Sequence, residues 1–409
     1  MPTFSGRSSR AVIFSAAGIL LITMGIRQTT GLLIAPISAS TGLGIVALSL
    51  AFAIGQFVWG LGQPIFGAIA DKHGSFWALV AGAFLLAAGL ASAPYLTSRW
   101  GMVVSFGVLS ACGAAAGSFS VLFGAAAQQL PMEHRAFASG FINAGGSFGQ
   151  FVFAPLVQYM ISARGWVPAV LALAVAALFT IPLAAWVGTR APAAHPPGAA
   201  HTGLWEQIKR ASVDRSYLCL HAGFFTCGFH VAFLVTHLPG EVALCNHPAT
   251  VSAVSLGLIG LFNIAGSLMA GFLGMRYRMK YLLALMYGSR TVMILVFLAS
   301  PKTALTFYVF AAALGLTWLA TVPPTAGLVG KLFGTKYLAT LFGLTLLTHQ
   351  VGAFLGAWLG GLAMAHSGNL AWMWYADALL AALAALVNLP IREDKILVSP
   401  VPEGATSPG

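Results

Sequence analysis

The sequence is poor in charge: charged residues make up 7% of its 409 positions, and only 9 of these are acidic. So low a charge density excludes an ordinary water-soluble globular domain, in which about 25% of residues are charged. The net charge of +11 would suit a nucleic acid. The basic residues stand between apolar segments, however, and form no basic patch interleaved with aromatics, so we predict no nucleic-acid partner.

The chain is also poor in the side chains that build disulfide frameworks and catalytic centres. Its four cysteines are scattered, three of them inside apolar runs, so no disulfide framework is implied. We find no H-x-x-x-x-D acyltransferase element. His237, Cys245 and His247 could approach a metal, but they lack regular ligand spacing, and we attribute their proximity to chance. We therefore expect no enzyme, no metal site and no cofactor.

Long apolar runs are what the sequence has instead. Apolar residues make up 58% of the chain, and the mean hydropathy is +0.87. A helix needs about 20 apolar residues to cross the hydrocarbon core of a bilayer. Runs of that length predict an all-α membrane protein with twelve transmembrane helices: 11–38, 45–70, 76–96, 101–128, 136–162, 166–187, 216–240, 250–274, 281–299, 303–330, 337–365 and 371–389.

Composition divides these helices into two six-helix bundles, at 1–187 and 216–391. Between them, 188–215 is rich in Pro, Ala, Gly and His and then charged, which predicts a cytoplasmic linker with a short surface helix. The polar, Pro-rich segment 392–409 is predicted to be a disordered tail. Most Lys and Arg residues fall on the linker side, and only Arg99, Arg164 and Lys302 fall opposite. The positive-inside rule therefore predicts two cytoplasmic termini in a multi-pass bacterial inner membrane protein.

The two bundles are predicted to be copies of one another. At an offset of 203 residues, a T-x-G-x-[R/H] pattern followed by proline occurs at the same place in both halves. Parallel repeats of this kind are typical of transporters, in which the binding site lies between the halves near the bilayer midplane. The matching positions are Thr23, Gly25, Arg27 and Pro36 with Thr226, Gly228, His230 and Pro239, and Gly149 with Gly352.

A loop motif gives the chain a resemblance to a known family. The stretch from Gly67 through Asp71 and Lys72 to Gly74 resembles the G-x-x-x-D-[R/K]-x-G signature of the major facilitator superfamily. The resemblance implies two pseudo-symmetric bundles that alternate access to a central cavity lined by helices 1, 4, 7 and 10. It also implies a gating role for the loop. Asp71 would lie against the positive N-terminal end of helix 11, near Tyr337.

Within that superfamily, the chain is similar to bacterial monocarboxylate porters and the oxalate–formate antiporter group. The similarity rests on the stretch from Gly25 to Pro36 and on the histidine-rich helix 7. The acid and arginine that animal monocarboxylate carriers have on helix 8 are missing from the uncharged run 262–267. Their particular proton-coupling chemistry is therefore not expected here.

Two residues at equivalent places are the main site candidates. A charge at mid-membrane costs about 2.5–3.5 kcal/mol on insertion scales, so Arg27 is expected to face a cavity. Its planar guanidinium suits a carboxylate. His230, at the same place on helix 7, titrates near neutrality and is predicted both to bind substrate and to couple its transport to a proton.

Further polar and aromatic candidates fall on helix 10 and on helices 5 and 11, which are expected to form the interface between the halves. Asn143, Trp318, His349 and Gln350 are predicted substrate contacts, although hydrogen bonds or packing between helices would equally explain them. Arg290 and Asp377 fall at similar depth on outer helices 9 and 12. They predict a structural ion pair, with a second anion contact by Arg290 as the alternative.

The charged and titratable side chains expected in the cavity predict the class of substrate. One fixed cation with histidines and no acid favours a small organic anion, monocarboxylate-like, carried by alternating access. Uptake together with a proton is the favoured coupling, because a bound anion raises the proton affinity of a nearby histidine. Anion exchange remains an alternative, as does an efflux carrier for a neutral or amphipathic metabolite or drug. The expected partners are the anion, the proton and the lipid bilayer, and the carrier is expected to be a monomer.

Overall fold

The computed structural model describes residues 7–190 and 203–393, which are almost entirely helical and contain no strand. We number the long helices α1 to α12 along the chain. In the first half, α1 runs from Arg7–Thr29 through a 3-10 turn at Thr30–Leu33 into Ile34–Thr41. The others are α2 (Ile45–His73), α3 (Ser75–Ser92), α4 (Arg99–Gln129, with breaks), α5 (Met132–Arg164) and α6 (Trp166–Leu178 and Thr180–Val187).

The second half repeats this arrangement. Its helices are α7 (Arg215–Leu244), α8 (Ala249–Arg276), α9 (Met279–Ala299), α10 (Ala304–Gly315 and Val322–Phe333), α11 (Leu338–Ser367) and α12 (Ala371–Asn388). A short helix, Leu204–Ser212, lies in the predicted linker. The rest of that linker, 191–202, and the tail from residue 394 lie outside the described residues.

Ten of the helices are long and apolar enough to cross a membrane by length and composition. The other two predicted spans are α5 and α10. Polar residues near the middle of α5, including Asn143, Ser147 and Gln150, lower its hydropathy. The single helix predicted at 303–330 is interrupted at 316–321, where the chain forms turns. The prediction of an unbroken helix 10 was therefore wrong.

The predicted repeat appears in how the helices pack. Helix α1 packs along α5, and α7 packs along α11. A Cβ added at Gly149 of α5 would lie 2.0 Å from the backbone oxygen of Leu21, and one at Gly352 of α11 would lie 2.0 Å from that of Phe225. Glycine is therefore required at both positions, because the two backbones of each pair touch.

The halves meet through α2 with α11 and through α5 with α8. At the end that carries the linker, Phe123 of α4 stacks on Phe342 of α11, with ring centroids 5.7 Å apart. Toward the opposite end, the buried faces of α5 and α11 point at their own halves: Phe153 packs on Gly25, and Gly356 on Phe229. The contacts between halves are thus concentrated at the linker end.

The start of the predicted disordered tail is in fact ordered. Glu393 accepts hydrogen bonds from the backbone N–H groups of Met279 and Lys280, at 2.8 and 3.0 Å, and pairs with Lys331 Nζ at 2.6 Å. Arg392 pairs with Asp214. A carboxylate at the first turn of α9 satisfies N–H groups that have no partner within the helix. The prediction of disorder was wrong for these two residues.

Candidate functional site

Arg27 lies in a pocket inside the first half. Its guanidinium donates to Gln56 Oε1 of α2 and lies over the Trp59 ring, with the guanidinium carbon 3.9 Å from the ring centroid. A cavity of about 60 Å³ lies beside it. Among the described residues that line this space, Arg27 carries the only charge. The walls are largely apolar and come from α1 to α4, including Ile26, Phe52, Leu86, Leu90 and Phe106.

Two further polar groups in this pocket have no hydrogen-bond partner. Trp59 Nε1 and Ser110 Oγ are both buried, and neither atom is hydrogen-bonded. An unpartnered buried donor costs about 1–3 kcal/mol, so such groups usually mark a place for water or a ligand. One fixed cation and two free donors in a largely apolar pocket can bind an anion that has an apolar body.

His230, the counterpart of Arg27, lies in the second half and is fully buried. Its Nδ1 lies 2.6 Å from Asp377 Oδ2 of α12, and its ring centroid lies 5.8 Å from that of Trp318. The ion pair predicted between Arg290 and Asp377 is absent, because Asp377 bonds His230 and Arg290 bonds backbone oxygens. The expectation that no acid stands near His230 was also wrong.

Arg290 of α9 holds the break in α10. Fully buried, it donates to the backbone oxygen of Thr317 and, at 2.7 Å, to that of Trp318. Broken helices are tolerated in membranes where side chains replace the lost backbone hydrogen bonds. The guanidinium does this for carbonyls that an intact α10 would satisfy itself.

Asn143 and Asn263 form hydrogen bonds with Leu319, the next residue in the break in α10. Asn263 Oδ1 of α8 accepts from Leu319 N–H at 2.9 Å, and Asn143 Nδ2 of α5 donates to Leu319 O at 2.9 Å. Asn143 also donates to Ser267 Oγ of α8 at 2.8 Å. Since α5 belongs to the first half, Asn143 ties the broken segment of α10 to the opposite bundle.

The remaining predicted contacts are dispersed. His349 packs against Phe224, with ring centroids 5.0 Å apart. Gln350 lies against α2, because a Cβ added at Gly60 would be 2.7 Å from its Cγ. The pocket around Arg27 is lined by residues of the first half alone. The sequence predicted that Arg27 and His230 face one shared pocket. In the structure they do not, and each lies inside its own bundle.

The loop motif makes the contact that its resemblance implied. Asp71 Oδ2 accepts from Thr340 N–H at 2.8 Å and from Thr340 Oγ1 at 2.7 Å, in the first turn of α11. A Cβ added at Gly67 would lie 2.5 Å from the backbone oxygen of Ala339. Gly74 has a φ of 89°, a region that favours glycine, and begins α3. Lys72 is exposed.

The residues that contact Arg27 and His230, the two main site candidates, were not predicted from the sequence. Gln56 and Trp59 were detectable as polar and aromatic positions three apart on one face of α2, the spacing at which helical neighbours meet. At an offset of 204 residues, which also aligns Gly67 with Gly271 and Lys72 with Arg276, Trp59 falls on Asn263. Nothing in the sequence pointed from His230 to Asp377, 147 residues away.

Comparisons with known proteins agree with this architecture. The family model described as Major Facilitator Superfamily matches residues 16–357. A proton:xylose symporter has the same fold with a TM-score of 0.74 at 12% sequence identity, covering 96% of this chain and 98% of that one. The E. coli fucose:proton symporter also gives 0.74, at 14% identity, covering 93% of this chain and 98% of that one.

Two curated relatives are similar over most of their length. Monocarboxylate transporter 13 of Rattus norvegicus is 25% identical, over 93% of this chain and 88% of its own. The oxalate:formate antiporter of Oxalobacter formigenes is 24% identical, over 87% of this chain and 84% of its own. The resemblance found in the sequence is thereby confirmed, as is the two-bundle fold.

Proposed function

The chain belongs to the major facilitator superfamily and is a multi-pass membrane transporter, and we propose that it carries a small, monocarboxylate-like organic anion by alternating access. The observation that carries this proposal is the pocket of Arg27, Trp59 and Ser110, with one fixed cation and no acid. The names of the relatives in rat and Oxalobacter, which refer to carboxylates, are consistent with it.

The proposed binding mode follows from the chemistry of the lining. The carboxylate of the substrate pairs with the guanidinium of Arg27 and accepts hydrogen bonds from Trp59 and Ser110. The apolar body of the substrate lies against Phe52 and Phe106. A single fixed cation favours one carboxylate over two. Hydrogen bonds to a charged group contribute about 1.5–3 kcal/mol each, enough to distinguish an anion from a neutral analogue.

We further propose that His230 carries a co-transported proton. Arg27 gives the empty carrier a positive charge, which a bound anion neutralises. Uptake of a proton at His230 restores that charge, so the loaded and the empty carrier cross their transition with the same net charge. This balance favours symport over uncoupled anion movement, because moving a net charge through the membrane field costs about 2.3 kcal/mol per 100 mV.

The direction of access follows from the same reasoning. If the linker end is cytoplasmic, as the distribution of Lys and Arg predicts, the contacts of Asp71 with Thr340 and of Phe123 with Phe342 close the cytoplasmic side. The described conformation is then outward-facing, and substrate would enter from outside.

The test is uptake by purified protein in proteoliposomes, using labelled monocarboxylates, dicarboxylates and neutral sugars at two external pH values. Wild type is expected to favour monocarboxylates and to accumulate them when the outside is acidic. Arg27→Ala should lose uptake, Arg27→Lys should keep part of it, and Gln28→Ala, an exposed neighbour on α1, should match wild type.

Two results would overturn parts of the proposal separately. Equal monocarboxylate uptake by wild type and Arg27→Ala would remove the anion site, and a neutral compound as the best substrate would favour an efflux carrier instead. Uptake that ignores the pH gradient but is accelerated by internal carboxylate would replace proton symport with anion exchange.

A further inference from the structure

In the second half, three buried polar atoms without a hydrogen-bond partner lie on fully buried residues that carry or can take a charge. They are His230 Nε2, Arg290 Nη1 and Asp377 Oδ1. All three residues are fully buried. Buried polar groups are satisfied in most proteins, and one left without a partner calls for a specific explanation. Because the three atoms belong to two basic side chains and one acidic side chain, they indicate that the three residues act as a single unit.

Contacts link His230 directly to Asp377 and, through Trp318, to Arg290. Asp377 lies 2.6 Å from His230, whose ring centroid is 5.8 Å from that of Trp318. The backbone oxygen of Trp318 accepts from Arg290 at 2.7 Å. On the remaining side, Thr291 Oγ1 donates to the backbone oxygen of Ala378 at 3.2 Å. The neighbours of Arg290 and Asp377 are therefore in direct contact between α9 and α12.

Other titratable groups packed around His230 are few. Cys227, one turn earlier on α7, has its Sγ 3.4 Å from Thr321 Oγ1. Tyr287 lies one turn before Arg290 on α9, and His349 faces α7 from α11. Between their ends, α8 and α10 carry no acid, arginine or histidine. Asp377 and Arg290 are therefore the charges of fixed sign nearest to the imidazole.

We propose that Asp377, Arg290 and His230 form one buried charge cluster that binds a single proton, with His230 as the proton carrier and the other two as positioning residues. This proposal specifies the proton site of the proposed function and rests on it. Arg290 and Asp377 cancel while His230 is neutral, so the cluster begins with no net charge. One proton then gives it a single positive charge.

The two positioning residues act on that proton in opposite directions. The carboxylate of Asp377 stabilises the imidazolium, whereas the guanidinium of Arg290 repels it. An opposite or like charge within about 4–6 Å changes such an equilibrium by about 1–3 pH units.

The experiment measures the proton on His230 directly, without substrate. Protein labelled with ¹⁵N-histidine is placed in lipid nanodiscs and titrated by NMR, and the His230 signal is identified by its loss in His230→Gln. Asp377→Asn is expected to move the titration midpoint of His230 to lower pH by about 1–3 units, because the two groups are in contact, and Arg290→Gln is expected to move it to higher pH. The double variant should return toward wild type.

Two matched variants control for folding and packing. Thr291→Val removes a hydrogen bond between the same two helices without changing a charge, and should leave the midpoint unchanged. Arg290→Lys keeps the charge and should also stay near wild type. If Arg290→Gln fails to fold, the downward shift in Asp377→Asn, set against an unchanged Arg290→Lys, remains the deciding contrast.

The outcomes separate this proposal from the proposed function. Midpoints that move together, or do not move, would overturn the cluster even if carboxylate uptake is proton-driven. A His230 that stays in one protonation state in wild type and all variants would overturn it as well. Failure of carboxylate uptake with the expected opposite shifts would remove the proposed substrate and leave the proton site in place.

Discussion

The imidazole of His230 and the carboxylate of Asp377 lie 2.6 Å apart and are both fully buried, although 147 residues separate them along the chain. This pair makes the two halves chemically different at equivalent places. In the first half, Arg27 faces a pocket without an acid. In the second half, the equivalent residue already has a carboxylate partner. One repeat thus has the charge suited to an anion, and the other has groups suited to a proton.

The two unpartnered donors of the pocket should contribute to anion binding. We expect Trp59→Phe and Ser110→Ala each to raise the KM for a transported carboxylate on the order of 10-fold, because each removes one hydrogen bond to a charged group. Trp77→Phe, at an exposed tryptophan of α3, is the matched control. Initial uptake rates across a substrate series measure the effect. Unchanged KM in both variants would mean that the carboxylate binds elsewhere.

The contact of Asp71 with Thr340 should stabilise closure at the linker end. Asp71→Asn keeps an oxygen that can accept but removes its charge, so each of the two hydrogen bonds to the start of α11 weakens from about 1.5–3 to about 0.5–1.5 kcal/mol. We expect the population closed at this end to fall about 10-fold or more. Distances between spin labels placed across the linker end report the change, and His73→Gln, at the exposed neighbour, is the control. An unchanged distance distribution would argue against a gating role.

Asn143 is expected to act on stability rather than on substrate affinity. Asn143→Leu leaves Ser267 Oγ without its donor and Leu319 O with only the N–H of Val322, which should cost about 1–3 kcal/mol of unfolding free energy. Thermal unfolding of the detergent-purified protein measures the loss, with Gln150→Leu, at an exposed position of α5, as control. If KM rises while stability holds, Asn143 contacts substrate, as the sequence suggested.

The glycines at the two repeat interfaces should respond alike to substitution. Gly149→Ala and Gly352→Ala each place a Cβ 2.0 Å from a backbone oxygen of the facing helix, and such overpacking typically costs 1–3 kcal/mol or more. Gly361→Ala, on the same helix α11, adds a Cβ with nothing within 4 Å and should be tolerated. Fluorescence size-exclusion and melting temperature separate the two groups. A tolerated Gly352→Ala would mean that α7 and α11 can separate without loss.

Several parts of this architecture were predictable because they depend on local composition. Apolar runs specify the helices, and the repeat at Gly149 and Gly352 specified that α1–α5 and α7–α11 pack alike. The loop motif likewise indicated the contact of Asp71 with the start of α11. In each case the residues concerned carry a signal in the sequence itself: hydropathy, internal repetition or a short motif.

The break in α10 was only partly predictable in this way. Residues 316–321 contain neither glycine nor proline, but Gly315 precedes them, and Pro323 and Pro324 stand in the first turn of the second segment, where proline favours the start of a helix. The break depends on replacement hydrogen bonds from Arg290, Asn143 and Asn263, which come from three other helices. Local propensity gives no account of groups that approach from elsewhere in the fold.

By itself, the sequence determined that this protein lies in a lipid bilayer, where its helices run, that they form a twofold repeat and that intramembrane charges are rare. It could do so because hydropathy and spacing are properties of the chain. Only the tertiary structure decided which charges meet. Arg290 and Asp377 were the two unlike charges at similar depth, and pairing them was the simplest neutralisation. The packing of α7 between α10 and α12 instead places His230 against Asp377, and Arg290 bonds the free carbonyls of a broken helix. A buried charge binds the nearest group that can satisfy it, and the fold sets which group is nearest.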